Sequence, residues 1–214
     1  MRRAPAALVV FHRAPRDASL AERFCAELEA QAGVPVGFCS LDAPIKPRAT
    51  HIVPLLFHEG RHLREDIPRI AEELRAQVVA PLPADVVARV AAESVERHTG
   101  RRKPSLWVVH DWQTAEALVE ALYAHTRRFS WPALAAMRGA PAVADVLRVF
   151  RRDGASEVVV QPIAACRAWH EEEVARAAAA VGIAAQVLPG LVENEAFIAA
   201  LAAHLRKEVG GDSD

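Results

Sequence analysis

Short apolar runs alternate with longer amphipathic stretches along most of the chain. Ala6-Ala7-Leu8-Val9-Val10-Phe11 is apolar throughout. A strand buried on both faces reads this way, whereas a half-exposed strand would alternate every second residue. The period then changes. Over residues 19–32, Leu20, Phe24 and Leu28 recur on one helical face, and Gly33 follows the end. Strands are predicted at 34–41 and 51–57. A helix follows at 66–76 with Pro68 in its first turn, where proline is tolerated, then a short strand at 77–80 and a helix at 85–97. Residues 98–105, polar and basic with Gly100 and Pro104, read as a linker.

Beyond that linker the pattern restarts. Leu106-Trp107-Val108-Val109 is a strand that ends at His110, as the first strand ends near His12. Helices at 114–126 and 143–152 follow. After them come a strand at 157–163, a helix at 171–180, a strand at 184–188 and a last helix at 193–206. Landmarks support a duplication. His12 and His110 are 98 residues apart, while Pro54–Pro162, His62–His170 and Pro81–Pro189 are each separated by 108. The extra ten residues fall before the third strand. There the second half has the helix at 143–152, and the first half has only Ala43-Pro44-Ile45-Lys46-Pro47-Arg48. The first half has therefore lost or shortened a helix. Alternating strands and helices favour parallel sheets with right-handed crossovers. The expected architecture is two tandem α/β halves, 1–99 and 104–208, related by a pseudo-two-fold axis.

Composition narrows the function. Of 214 residues, 52% are hydrophobic, enough for a substantial core. Twenty-six basic residues against 27 acidic ones argue against a nucleic-acid binder that relies on bulk positive charge. Cys25, Cys39 and Cys166 are widely spaced and form no CxxC pair, so neither a disulfide framework nor a cysteine-based zinc site is indicated. The apolar run after Met1-Arg2-Arg3 is too short for a signal peptide, and no stretch approaches the roughly 20 apolar residues of a membrane helix. A cytoplasmic protein with no membrane partner is expected, and a homodimer is compatible with the sequence.

Ligands of open α/β sheets bind beyond the carboxyl ends of the strands. His12 lies just past the first strand. His62 lies in the loop after the third, within Pro54-Leu55-Leu56-Phe57-His58-Glu59-Gly60-Arg61-His62-Leu63-Arg64-Glu65-Asp66-Ile67-Pro68. Both loops open on one sheet edge, where two neutral imidazoles can share a late first-row divalent ion. A pair of hydrogen-bonded surface histidines fits the same positions. No Gly-x-Ser-x-Gly elbow, phosphate-binding glycine loop or dinucleotide fingerprint is present, which disfavours a hydrolase or nucleotide enzyme.

The segment from Pro54 to Pro68, with Gly60-Arg61-His62 followed by Asp66-Ile67-Pro68, resembles the signature of the sirohydrochlorin chelatases, the class II tetrapyrrole metal chelatases of cobalamin and siroheme biosynthesis. The first strand with His12 is similar to that family's strand ending in Gly-His-Gly-Ser-Arg, and Val79-Ala80-Pro81-Leu82 to its following strand and loop. The resemblance implies that His12 and His62 are the metal-binding and catalytic histidines. It further implies a lyase that inserts cobalt or ferrous iron into sirohydrochlorin, the divalent metal being a substrate, without an organic cofactor. Arg13, Arg16, Arg61 and Arg64 flank the two loops and are candidate partners for the carboxylate arms of a tetrapyrrole; a solvated basic surface is the other reading. The chain departs from the pattern at Phe11-His12-Arg13-Ala14-Pro15-Arg16, which lacks the flanking glycines, and at His58 and Glu59, which are extra ligands, a proton relay or surface groups. The alternative is a non-catalytic metal- or tetrapyrrole-binding protein derived from a chelatase. His110 and His170 form a candidate second site, although Glu173-Val174-Ala175 replaces Asp-Ile-Pro there, and Cys166 and Trp169 lie beside His170. Trp107, Trp112, Trp131 and Trp169 all fall in this half, as core or as stacking platforms for a flat macrocycle.

Overall fold

A computed structural model describes residues 5–13, 15–43 and 48–210. Two parallel four-stranded sheets carry the chain. The first holds β1 (Ala7–Phe11), β2 (Val36–Ser40), β3 (His51–Pro54) and β4 (Gln77–Val78) in the order β2-β1-β3-β4. The second holds β5 (Ser105–Asp111), β6 (Pro132–Arg138), β7 (Glu157–Pro162) and β8 (Ala184–Val187) in the order β6-β5-β7-β8. The shared order bears out two parallel-sheet α/β halves. β1 and the first five residues of β5 are fully buried, as their unbroken apolar runs require.

The pairing register tests the duplication directly. Val10 pairs with Pro54, and Val108 pairs with Pro162, so the offsets of 98 and 108 hold between hydrogen-bonded strands. The last strands differ by one residue. Ile52 pairs with Val78, but Val160 pairs with Val187, an offset of 109 from Val78. The match of Pro81 with Pro189 is therefore one residue out of register. A second correction concerns β6, which local pattern did not predict. Its sequence, Pro-Ala-Leu-Ala-Ala-Met-Arg, has no β-branched residue and so no strand propensity to show.

Between β6 and β7 runs helix α5 (Val143–Arg152), whose Val143, Leu147 and Phe150 join a core with Leu106, Val108, Val158 and Val160. The corresponding first-half crossover has ten residues, 41–50, and among its described residues there is no helix; 44–47 lie outside the described residues. Ten extended residues span about 33 Å. The crossover must run back along a five-residue strand and past β1, about 16 Å by 10 Å, so no helix is needed to close it.

The remaining helices are α1 (Ala18–Ala32), α2 (Ile67–Leu74), α3 (Ala84–Thr99), α4 (Glu116–Thr126), α6 (Ala168–Val181) and α7 (Glu195–Gly210). The Asp17 carboxylate caps α1 by accepting the Ser19 N–H at 2.9 Å, and Gly33 ends the helix at φ 74°. The compact units are not the two tandem halves. One comprises residues 1–82 and 195–214, the other 83–194. Helix α7 packs on α1. The Phe197 ring meets Phe57 at 5.7 Å, Arg206 donates to the Gln31 carbonyl at 3.2 Å, and His204 donates to the Ala80 carbonyl at 2.7 Å. Helix α3 packs on α4 and β7. His125 of α4 donates to Asp85 of α3 at 2.7 Å. Helix α7 thus belongs to the unit of the first sheet and α3 to the unit of the second. Periodicity shows that α3 is buried, through Val87, Val90, Ala91 and Val95, but not which sheet buries it.

Phe197, fully buried, belongs by contact to the unit that contains β1. Phe197→Ala is expected to destabilise the protein by about 3–5 kcal/mol. Hydrogen exchange should then accelerate at β1 amides before those of β5. Faster exchange confined to β5 would contradict this placement of α7.

Candidate metal site

β1 and β3 are adjacent parallel strands, so the residues after each emerge on the same sheet edge. The loop after β3 is held from the start. Leu55 donates its N–H to the Val10 carbonyl at 3.0 Å, and Leu56 is buried with Val10, Ile52, Ile67 and Ile70. The chain then enters a single widened turn, His62–Asp66, in which the Ile67 N–H reaches the His62 carbonyl five residues back. Pro68 accounts for the widening. It has no N–H, and its ring crowds the carbonyl four residues before it, so a looser turn upstream relieves the contact. α2 begins immediately afterwards.

This geometry brings the two predicted ligands together. His12 Nε2 lies 3.1 Å from His62 Nε2, with ring centroids 4.7 Å apart and planes inclined by 52°. At such a contact one nitrogen donates and the other accepts, so at most one hydrogen lies between the rings. On the other side of His62, Nδ1 lies 2.6 Å from Asp66 Oδ2. The sequence places Asp66 near the start of the helix, where it is expected to fix that helix and so hold the His62 loop. The side chain makes no capping bond to α2 and faces His62 instead. The signal was available as a His-x-x-x-Asp spacing, which puts both side chains on one face of a helical turn.

The pKa of His12 is lowered. Partial burial contributes most, followed by the charges of His62, Arg13 and His58, with Asp42 opposing them. His58, a half-buried loop residue, is thereby placed within electrostatic reach of His12. Glu59 faces away into an ion pair with Arg64 at 3.5 Å. Arg61 pairs with Glu65 at 2.9 Å. Arg13, Arg16, Arg61 and Arg64 are all exposed.

The second unit arranges its counterparts differently. His110 and His170 have ring centroids 6.3 Å apart, and Trp169 stands 5.3 Å from each. Trp169 occupies the position of Arg61, and the fully buried Val174 that of Asp66. Of the tryptophans, Trp107 is core while Trp131 and Trp169 are exposed. Burial pushes the thiol of Cys25 up to about 12 and those of Cys39 and Cys166 up to about 11, Glu193 adding to the effect at Cys166. None is a ready thiolate ligand near neutrality. Among the described residues, no group of three or more His, Cys, Asp or Glu is placed to hold a metal ion. The first unit therefore offers a two-nitrogen site.

No protein-family model matches the sequence, and no curated protein sequence matches it. Solved structures do. The chain is similar to CbiX, described as the terminal enzyme for biosynthesis of siroheme in denitrifying bacteria, with a TM-score of 0.69 at 21% identity, covering 94% of this chain and 97% of that one. It is similar to SirB from Bacillus subtilis with Fe3+, with a TM-score of 0.69 at 17% identity over 99% of both chains. A third match is the sirohydrochlorin chelatase SirB from Bacillus subtilis subspecies spizizenii in complex with cobalt, with a TM-score of 0.68 at 16% identity, covering 98% of this chain and 97% of that one. The fold is that of these three proteins.

The shift of His12 has a measurable consequence. Its proton binds less well in the folded chain than in the unfolded one, whose pKa is 6.5. Stability attached to this group is unaffected well above pH 6.5 and declines as pH falls through 6.5 towards the lower folded value. Imidazole NMR of the metal-free protein should show His12 titrating below 6.5. A midpoint at or above 6.5 would contradict the site's electrostatics.

Proposed function

We propose that this protein is a cytoplasmic chelatase of the sirohydrochlorin family that inserts a divalent metal, cobalt or ferrous iron, into sirohydrochlorin on the route to cobalamin or siroheme. The observation that carries this reading is the approach of His12 Nε2 and His62 Nε2 to 3.1 Å at the carboxyl edge of the first sheet. A divalent ion at the usual metal–imidazole distance of about 2.0–2.1 Å from both nitrogens would subtend an N–metal–N angle of roughly 95–100°. That suits a tetrahedral or octahedral ion. The pair thus fits an ion with little rearrangement and leaves its remaining positions to water or to the macrocycle. Two protein ligands hold an ion that must leave each cycle less firmly than a closed three- or four-ligand site would.

Insertion replaces two pyrrole N–H protons of the macrocycle by one divalent ion. As the ion leaves the imidazoles, each regains a lone pair and can accept one of those protons. The lowered pKa of His12 favours handing its proton on to water. Arg13, Arg16, Arg61 and Arg64 surround this edge as partners for carboxylate arms. The Arg61–Glu65 and Arg64–Glu59 pairs are exposed and worth at most about 1 kcal/mol each, so a substrate carboxylate can displace either glutamate at small cost. No helix among the described residues is long and apolar enough to cross a membrane.

We assign the work to the first unit. The wider separation of His110 and His170, the tryptophan beside them and the valine at position 174 favour a degenerate copy over a second metal site. His62→Ala is expected to abolish cobalt insertion into sirohydrochlorin, followed by the absorbance of the product, while His170→Ala retains most of it. Co2+ titration of the His12→Ala, His62→Ala double variant should show the ion-binding site lost. Damage confined to His170→Ala would transfer the activity to the second unit. A wild-type protein that binds Co2+ and never inserts it would establish the non-catalytic metal-binding alternative, with the missing glycines around His12 as its cause.

A further inference from the structure

We propose that Asp66 is a positioning residue that fixes His62 in the tautomer with hydrogen on Nδ1 and a lone pair on Nε2, so that one of the two metal ligands is ready before the ion arrives. The inference rests on the chelatase reading for its purpose but on geometry for its substance. Asp66 Oδ2 lies 2.6 Å from His62 Nδ1, the length of a charge-assisted bond. A carboxylate with a reference pKa near 3.9 is ionised at neutral pH and can only accept, so the hydrogen of that bond belongs to Nδ1. In a neutral imidazole the other nitrogen then carries the lone pair, and Nε2 is the atom that faces His12.

The carboxylate is itself held. It is three-quarters buried, and Arg69 Nη2 lies 3.8 Å from Oδ1 while Arg69 Nη1 bonds Glu73 at 2.8 Å. The widened turn His62–Asp66 places acid and imidazole four residues apart on one short segment, so both orient together. Carboxylates that accept from the outer nitrogen of a metal-binding histidine set the ring's direction and raise its basicity.

The assignment makes the two histidines unequal. With His62 Nε2 accepting, the hydrogen of the 3.1 Å contact comes from His12 Nε2. An arriving ion must displace a proton from His12 and none from His62. The second unit has neither part of this arrangement, because His170 lies in an ordinary helix and position 174 is a buried valine.

The experiment measures imidazole 15N shifts of the metal-free protein alongside Co2+ titration. In the wild type His62 should show a protonated Nδ1 and an unprotonated Nε2. Asp66→Ala should lose that preference, Asp66→Asn should give a mixture because an amide can present either oxygen or NH2, and Asp66→Glu should recover part of it. Co2+ affinity should fall about 10–100-fold in the alanine and asparagine variants, with unchanged backbone amide shifts in β1. A merely structural role would move the β1 shifts and leave the tautomer alone. Retention of the Nδ1–H tautomer in both variants, or a wild-type His62 protonated on Nε2, overturns the proposal. If wild-type protein fails to bind Co2+, the chelatase reading fails, and the tautomer measurement still decides the role of Asp66.

Discussion

The parallel pairing of β1 with β3 is the constraint on which the site depends. Register fixes Val10 opposite Pro54, and each strand then releases its chain at the same edge within a few residues. A shift of one residue would turn every side chain of β1 to the other face. The buried runs Ala7–Phe11 and Ile52–Pro54 oppose such a shift, because Val10 and Ile52 belong to one core with Ile67 and Ile70 of α2. The same core that stabilises the unit therefore sets the distance between His12 and His62. Precision at the edge comes from packing beneath it.

Duplication supplies a comparison within one molecule. Both sheets have the same order, and both carry a histidine at the carboxyl end of the first strand, His12 just past β1 and His110 within the last two residues of β5, and another after the third. What differs is the support around the second histidine. In the first unit a proline-widened turn carries an aspartate to its outer nitrogen. In the second, an ordinary helix starts earlier, the residue four beyond His170 is the apolar Val174, and a tryptophan packs against both imidazoles. A matching pair of residue types is thus insufficient, because ligand geometry depends on the groups that hold the rings.

Much of this was legible in the sequence for physical reasons. Continuous apolar runs marked buried parallel strands, equal spacings between prolines and histidines exposed the repeat, and the positions of His12 and His62 at strand ends predicted their convergence. Three features escaped. The strand Pro132–Arg138 is alanine-rich and carries no propensity signal. The placement of α3 and α7 in their units depends on which sheet covers a helix face, and a local period cannot encode that. Asp66 was read as a helix-start residue because its spacing from His62 becomes meaningful only once the turn between them is known to be helical.

The central claim is that one divalent ion is held between His12 and His62. It is tested most directly by a structure of the protein with Co2+, the ion located by its anomalous scattering. The account predicts one ion about 2.0–2.2 Å from both Nε2 atoms, with the His62–Asp66 bond intact and the other coordination positions taken by water. An ion bound at His110 and His170, or one that leaves His12 and His62 in mutual contact at 3.1 Å, would contradict it.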